Sequence, residues 1–264
     1  DFDLTVTVGT QEIDPLTEGH IDTERATTSI TVPVVISAAA DAPTAPAGSS
    51  TTPEDTAVTF GANIDYDLVD TDGSEAVSRV TIGNFPAGLD LDTGISYALS
   101  GDAEVTLAAG VYTITSTNPD RVQAAVDIRA TLDSFKVEPI ADSDVDFTLD
   151  VVVTTTDIDD VTGSVTTATT STTHQVIIDA VADTPTIAGP TADITTDEDV
   201  PVAIPDLAGA LVDTDGSETL RFEIADAPAG ATFTDGSGGA VGTLIGAIWH
   251  FTAGEIAGGL TFVP

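Results

Sequence analysis

The sequence predicts an all-β chain of tandem antiparallel β-sandwich domains of the Greek-key type, with a partly closed barrel as the alternative. Apolar and polar residues alternate with a period of two in several segments, which is typical of half-buried strands. Of the 264 residues, 41% are hydrophobic but only 5% are aromatic, so Val, Ile, Leu and Ala must form the core. The hexapeptide Asp-Thr-Asp-Gly-Ser-Glu occurs at 70–75 and again, 143 residues later, at 213–218, a spacing that fits one compact domain.

Other short motifs repeat in step with the hexapeptide. Pro-Ala-Gly at 86–88 recurs at 228–230. Asp-Phe-Asp-Leu at 1–4 matches Asp-Phe-Thr-Leu at 146–149, and valines follow both. The offsets differ by a few residues, as insertions and deletions in loops would make them. The chain is therefore expected to be a tandem repeat of whole domains.

The repeat divides the chain into three parts. Residues 1–40 match the C-terminal strands of a preceding or partner-chain repeat, 41–182 form a complete sandwich, and 183–264 form the N-terminal part of the next repeat without its last strands. These parts are named the leading hairpin, the first unit and the second unit. Unpaired strand edges do not persist in water. We therefore expect either a window on a longer polypeptide or head-to-tail pairing of 1–40 with 183–264 of a neighbouring molecule.

The leading hairpin has two predicted strands. Residues 1–8 and 30–36 alternate apolar with polar side chains. Pro33 lacks an amide donor, which indicates an edge position or a bulge. A polar loop over 11–25 is expected to join the strands.

In the first unit, turns that contain Gly or Pro separate the predicted strands. The connector 38–53 includes the first strand, and further strands are expected near 56–60, 77–83, 95–99, 104–107, 111–115, 134–138, 146–154 and 174–181. A short helix is predicted over 120–131, and the Thr- and Asp-rich segment 154–173 is predicted to be a hairpin loop. The second unit is expected to repeat this order through 213–218, 227–230 and 247–252 to 260–264.

The charge balance excludes several partners. The chain has 44 acidic and six basic residues, a formal net charge of −38. Nucleic acids and anionic membrane surfaces are therefore not expected to bind, and no apolar run is long enough for membrane insertion. Self-repulsion of this size opposes the compact state unless cations neutralise it. Because the chain has no cysteine, disulfides and thiolate metal ligands are excluded.

Each hexapeptide places three carboxylates and a turn-forming glycine within six residues, a ligand set that suits calcium. A solvated acidic turn is the alternative, and an EF-hand is excluded because the loop is too short. Each turn is expected to meet the Glu-Asp pair and the connector aspartate of its own copy. The candidate ligands are Asp41, Glu54, Asp55, Asp70, Asp72 and Glu75 in the first copy, and Asp183, Glu198, Asp199, Asp213, Asp215 and Glu218 in the second. A further candidate group is Asp157, Asp159 and Asp160.

These motifs together resemble a known family. The acidic turn, the upstream Glu-Asp pair, Pro-Ala-Gly, the Asp-Phe-x-Leu-x-Val strand and the Ala-Asp-x-Pro-Thr connector are similar to the repeats of giant RTX-type bacterial adhesins, which Gram-negative cells export by type I secretion. The resemblance covers essentially the whole chain. It implies Ig-like or cadherin-like sandwiches, calcium in the loops and connectors, an extracellular place at the cell surface or in the secreted matrix, and a role in adhesion or biofilm. The nonapeptide calcium repeats of such proteins are absent from this sequence.

The leading function is a structural, calcium-stiffened β-sandwich array of an extracellular adhesin or surface filament. The alternative is a ligand-binding adhesin module for sugar or peptide, which needs an insertion that breaks the repeat; only the longer segment 116–135 qualifies. A secreted hydrolase would need a cluster of acid, base or nucleophile outside the repeat. His20, His174 and His250 are not repeated, so neither a zinc site nor enzyme activity is expected. Trp249 aligns with Tyr112 and is expected in the core or on an edge strand.

Overall fold

The computed structural model describes residues 2–13, 21–70, 73–159, 162–213 and 215–264. Strands make up 45% of the chain and helices 9%, in several sheets, so the predicted all-β sandwich class is confirmed. Among the sequence predictions, His20, Asp72, Asp160 and the middle of the loop over 11–25 lie outside the described residues. Within the described ranges, no helix has both the length and the apolar character needed to cross a membrane.

The leading hairpin is a two-stranded antiparallel sheet of β1 (Phe2–Ile13) and β2 (Ile21–Val34). Both strands are longer than the alternation at 1–8 and 30–36 predicts. Pro33 lies opposite Asp3 near the open end of the hairpin. In the described part of the chain this sheet has no third strand.

Besides a 3-10 turn at Gly61–Asn63, the described part of the first unit contains ten regular elements. They are β3 (Gly48–Pro53), β4 (Val58–Thr59), β5 (Glu75–Gly83), β6 (Ile95–Ser96), β7 (Ala103–Ala108), β8 (Val111–Ser116), α1 (Arg121–Asp133), β9 (Lys136–Val137), β10 (Phe147–Ile158) and β11 (Val165–Asp179). One sheet has the order β3-β11-β10-β5-β8-β7, and a smaller sheet has the order β4-β9-β6. All of these pairs are antiparallel except β3 with β11, which is parallel.

The core of the first unit lies between these two sheets and α1. It includes Phe60, Ile82 and Phe135, which are fully buried, and the hairpin β10–β11 adds Leu149, Val151, Val153, Val176 and Ile178. Helix α1 begins where the Asp120 carboxylate accepts hydrogen bonds from the amides of Val122 and Gln123, a favourable cap. The predicted helix at 120–131 thus matches α1 closely.

The segment 154–173 is not the predicted hairpin loop. Strand β10 continues to Ile158 and β11 begins at Val165, and the two strands stay in register up to that pair. The reason is that threonine is β-branched and favours strands, although its hydroxyl makes a Thr-rich run look like a polar loop. Among the described residues of this segment, only Asp159 and 162–164 lie outside the ladder.

The second unit contains shorter elements. They are β12 (Thr186–Ala188), β13 (Val202–Ile204), β14 (Ala208–Ala210), β15 (Arg221–Ile224), β16 (Thr232–Asp235), β17 (Thr243–Ile245), β18 (Ile248–Thr252), α2 (Ala253–Ala257) and β19 (Leu260–Val263). They form sheets ordered β12-β14, β13-β19-β16 and β15-β18-β17. Its buried cluster is small: Phe222, Phe233, Phe251, Ile256 and Leu260. Strand β15 corresponds to β5 but is an edge strand in the described sheet.

Candidate metal sites at the junctions between units

The same hydrogen bond ties each connector to the acidic turn that follows it. The amide of Asp41 donates to Glu75 Oε1 at 2.7 Å, and the amide of Asp183 donates to Glu218 Oε1 at 2.6 Å. The two pairs occupy equivalent repeat positions. Each connector aspartate and the glutamate that ends the hexapeptide therefore lie together at the upstream end of their unit.

Hydrogen bonds within the hexapeptide explain its residue order. In the second copy, the Asp213 carboxylate accepts from the amide of Asp215 at 2.8 Å and from the hydroxyl of Ser217 at 2.7 Å. The amide of Ser217 donates to Asp215 Oδ1 at 2.8 Å. Gly216 has a φ of 104°, a conformation that favours glycine. The turn holds the buried Asp213 carboxylate close to the connector.

The Glu-Asp pair of the first unit lies at the opposite, downstream end. Glu54 is 3% exposed, and its Oε1 accepts a hydrogen bond from the amide of Val181 in the second connector. Asp55 has a φ of 55°, and its Oδ1 accepts from the amide of Asp142 at 2.9 Å. These contacts fix Glu54 against the connector that leads into the second unit and Asp55 against the loop between β9 and β10.

Three carboxylates from different segments converge at this junction. Asp55 follows β3, Asp142 lies in the loop between β9 and β10, and Asp183 lies in the connector; one oxygen from each is within 4.8 Å of the others. Carboxylates this close repel one another unless a cation or a proton lies between them.

The pKa values of the neighbouring groups reflect this crowding. The hydrogen bond from Val181 lowers the pKa of Glu54, but burial and the charges of Asp213, Asp55 and Asp183 outweigh it, so the net pKa is raised. Desolvation, followed by the charges of Asp55 and Asp183, raises the pKa of Asp142. The junction is thus short of positive charge.

Orphaned oxygens test whether these residues fit a metal ion. Glu54 Oε2, Asp183 Oδ2 and Glu218 Oε2 are buried and have no hydrogen-bond partner among the described residues. A buried carboxylate oxygen without a partner is costly. Calcium binds six to eight oxygens and would satisfy them. The donor set fits: Asp55, Asp142 and Asp183 could hold the ion, with Glu54 and Glu218 beside them.

A second acidic group lies at the upstream end of the first unit. Asp157 on β10 is the cross-strand partner of Glu75 on β5, and both are buried. Asp157 Oδ2 accepts from the amide of Ala39 at 3.1 Å, while its Oδ1 and Glu75 Oε2 lack partners. Arg121 donates to the carbonyl of Ser74 at 2.7 Å and brings one positive charge nearby. Two buried carboxylates and one guanidinium still leave excess negative charge.

The sequence had led us to expect that the carboxylates group within each copy, but Glu54 and Asp55 group with the connector of the next copy. Strand β3 carries the chain from the connector to the far end of the unit, so Glu54 and Asp55 meet the next copy's connector instead of their own. In the second unit, Asp183, Asp213, Asp215 and Glu218 lie at the junction, while Glu198 and Asp199 are exposed. Asp70, the first residue of the first hexapeptide, is half-buried, and Asp159 is buried after β10.

Sequence reasoning missed Asp142 and Asp144. They lie in the segment 140–145, which has no counterpart elsewhere in the chain, so repetition could not single them out. The Asp-Ser-Asp pattern within a predicted loop was the available signal. Both side chains are half-buried at the junction.

The histidines and aromatic residues lie elsewhere. His174 is buried with Nε2 at 2.9 Å from Ser50 Oγ, and His250 Nδ1 is 3.3 Å from a carboxylate oxygen of the half-exposed Glu223. Tyr112 is buried, and Trp249 packs against Phe233 with ring centroids 5.3 Å apart. Both aromatic residues belong to the cores.

Comparisons with known proteins show little similarity. No protein-family model matches the chain, and no curated protein matches it. A similar solved structure is that of the titin domains Z1Z2 in complex with telethonin, with 10% identity over 82% of this chain and 83% of that chain and a TM-score of 0.26. A chimeric titin Z1Z2 functionalised with a KLER peptide from decorin has 9% identity over 85% and 83%, with a TM-score of 0.22. Likeness at this level carries no conclusion about function.

Proposed function

We propose that the chain is part of a structural, calcium-stiffened β-sandwich array in an extracellular bacterial adhesin or surface filament, whose units are joined head to tail. The observation that carries this is the convergence of Asp55, Asp142 and Asp183 from a unit, its loop and the connector. An ion bound by all three would link one unit to the next. The bound ion would hold the connector in one position relative to the first unit.

The balance of charge supports the same proposal. At the junction, buried oxygens of Glu54, Asp183 and Glu218 lack partners, and the whole chain has a net charge of −38. A divalent ion would neutralise repulsion that otherwise opposes the compact state. When bound, the ion would supply positive charge and coordination, while the protein residues orient the ligands. This role is structural, and the proposal includes no enzyme activity.

Calcium titration tests this function. Protein stripped with a chelator should bind calcium in isothermal titration calorimetry, and saturating calcium should raise the melting temperature because ligands that bind only the folded state stabilise it. Small-angle scattering should show a narrower distribution of maximum dimensions with calcium than without. Magnesium serves as the control, since it accommodates such ligand sets less readily. An unchanged melt and scattering profile after calcium addition would overturn the proposal.

A further inference from the structure

The leading hairpin has an apolar face that a second molecule of this chain can cover. We propose that the hairpin β1–β2 of one molecule inserts into the second unit of another, pairs with the open edge of β15, and completes that sheet. The partner in the proposed array is thus a second copy of this chain, and this proposal rests on the proposed function. Four observations and one cavity carry it.

The first observation is identity of the side chains that face the core. Leu149, Val151 and Val153 of β10 are fully buried in the first unit. Their repeat counterparts in β1 are the same residue types, and they are 48%, 46% and 62% exposed: Leu4, Val6 and Val8. Val176 and Ile178 of β11 likewise have Val34 and Ile36 as counterparts. One face of the leading hairpin therefore has the same apolar side chains that β10–β11 buries in the core of the first unit.

The second observation is that the two hairpins share one register. Leu4 lies opposite Val32 in β1–β2, and Leu149 lies opposite His174 at the same position of β10–β11. Even a side-chain contact repeats: the Thr10 hydroxyl oxygen lies 3.4 Å from the carbonyl oxygen of Ala26, and the Thr155 hydroxyl oxygen lies 3.4 Å from that of Ala168. The leading hairpin already has the shape that β10–β11 has inside a finished sandwich.

The third observation is the open edge in the second unit. In the first unit, β5 pairs with β8 on one side and β10 on the other. Its counterpart β15 pairs only with β18 in the described sheet. Since Val151 lies opposite Ile82 and Val153 opposite Val80, the repeat places Val6 of the donor opposite Ile224 and Val8 opposite Phe222.

A cavity marks where the inserted strand would end. It measures about 460 Å³ and is lined by the second connector and β15, including Val181, Asp183, Leu220 and Arg221. At the same place in the first unit, the Thr155 hydroxyl donates to the carbonyl of Asp41 at 2.6 Å. Thr10 of a donor is the counterpart of Thr155, and the carbonyl of Asp183 is the counterpart acceptor.

The fourth observation is the turn at the far end of the second unit. Asp199 has a φ of 62°, close to the 55° of Asp55. The Thr196 hydroxyl donates to the carbonyl of Val200 at 2.7 Å, as the Thr52 hydroxyl does to that of Thr56 at 2.7 Å. The turn is thus formed although it is exposed.

Insertion would give this turn a partner. By repeat position, Glu198 and Asp199 of the acceptor would face Asp41 and Glu75 of the donor, as Glu54 and Asp55 face Asp183 and Glu218 within one chain. Because donor and acceptor surfaces differ, the contact does not close on itself and generates a linear filament.

Disulfide trapping tests the proposed register in the full chain, which contains no cysteine. Thr7 is the counterpart of Val152, which lies opposite Thr81, and Thr81 corresponds to Glu223. Molecules with Thr7→Cys are mixed with molecules with Glu223→Cys under mild oxidation, with and without calcium. The matched control mixes Thr7→Cys with Thr243→Cys, which is exposed on β17 beyond β18.

A non-reducing gel should show the mixed dimer forming about tenfold faster in the test pair than in the control pair, since pairing raises the local thiol concentration. Val6→Asp in the first variant should remove this excess, and unchanged melting of the first unit would show that folding is intact. Equal rates in the two pairs, in the presence of calcium, would overturn the insertion. That result would leave the proposed function standing if calorimetry still detects calcium binding, so the two failures are distinguishable.

Discussion

The amide nitrogen of Asp144 lies 3.1 Å from Oδ2 of Asp215, a hydrogen bond that joins two units across 71 residues of sequence. Hydrogen bonds from the amides of Ser217 and then Asp144 lower the pKa of Asp215 to about 2. Asp215 therefore stays ionised at neutral pH and holds the loop between β9 and β10 against the next hexapeptide. Contacts of this kind, between polar loops, position the two units at this junction.

Asp215→Asn tests the part that this carboxylate plays in calcium binding. The variant loses a negative charge beside the junction, so the rise in melting temperature on calcium addition should be smaller than in the unchanged chain. Calorimetry of both proteins with and without calcium measures the difference. Asp193→Asn, an exposed carboxylate of the same unit, is the control and should keep the full calcium effect. Equal calcium effects in the two variants would contradict the prediction.

Glu54→Gln should change stability in opposite directions with and without calcium. Without the ion, the variant should melt higher, because a neutral amide can still accept from Val181 but does not repel Asp213 and Asp55. With saturating calcium it should melt lower, because one ligand charge is lost. Glu104→Gln is the control, since Glu104 is an exposed carboxylate on β7 of the same unit, and its melting temperature should barely move. An equal decrease in the melting temperature with and without calcium would mean that Glu54 contributes through packing alone.

Leu149→Ala and Leu4→Ala form a pair at equivalent positions. Leu149 is fully buried, so its truncation should reduce the free energy of unfolding of the first unit by about 2–5 kcal/mol. Leu4 is exposed in the single chain, and its truncation should change the free energy by less than about 0.5 kcal/mol in dilute protein. Denaturant unfolding at low protein concentration measures both. A large loss from Leu4→Ala in monomeric protein would mean that the hairpin packs against its own chain.

His174 predicts a dependence of stability on pH. Its ring is buried against Phe60 and next to Ser50, and desolvation lowers its pKa below the usual 6.5. As the pH falls, His174 is therefore protonated in the unfolded state before it is protonated in the folded state. Its contribution to the free energy of unfolding is fully present above pH 6.5, decreases below that pH, and stops changing once the pH is below the folded-state pKa.

His174→Gln should reduce this pH dependence between pH 7 and pH 5, although it lowers overall stability. His250→Gln is the control, because His250 is in the second unit and lies beside Glu223. Urea midpoints of the first unit at a series of pH values measure the effect. A slope that is the same in His174→Gln and the unchanged chain would refute the assignment to His174.

The sequence predicted the strands well where local patterns decide structure. Alternation places Leu149, Val151 and Val153 on one face, and Gly and Pro mark the turns between strands. It failed for 154–173, because threonine has the polarity of a loop residue and the backbone preference of a strand residue. The calcium sites stay predictions. The grouping of their carboxylates across the junction shows what cannot be predicted from short sequence motifs. Glu54 meets Val181 only because residues 40–53 run beside β11 from Thr166 to Asp179, a relationship that pattern and spacing do not contain.

The parallel neighbours β3 and β11 are the first and last strands of the first unit. Tension applied through the two connectors would pull these strands in opposite directions along their common axis. The hydrogen bonds across their six registered residue pairs would then be loaded in shear and would have to fail together, not one after another as in an unzipping hairpin. The first unit would therefore keep its length up to a threshold force and then unfold in a single step.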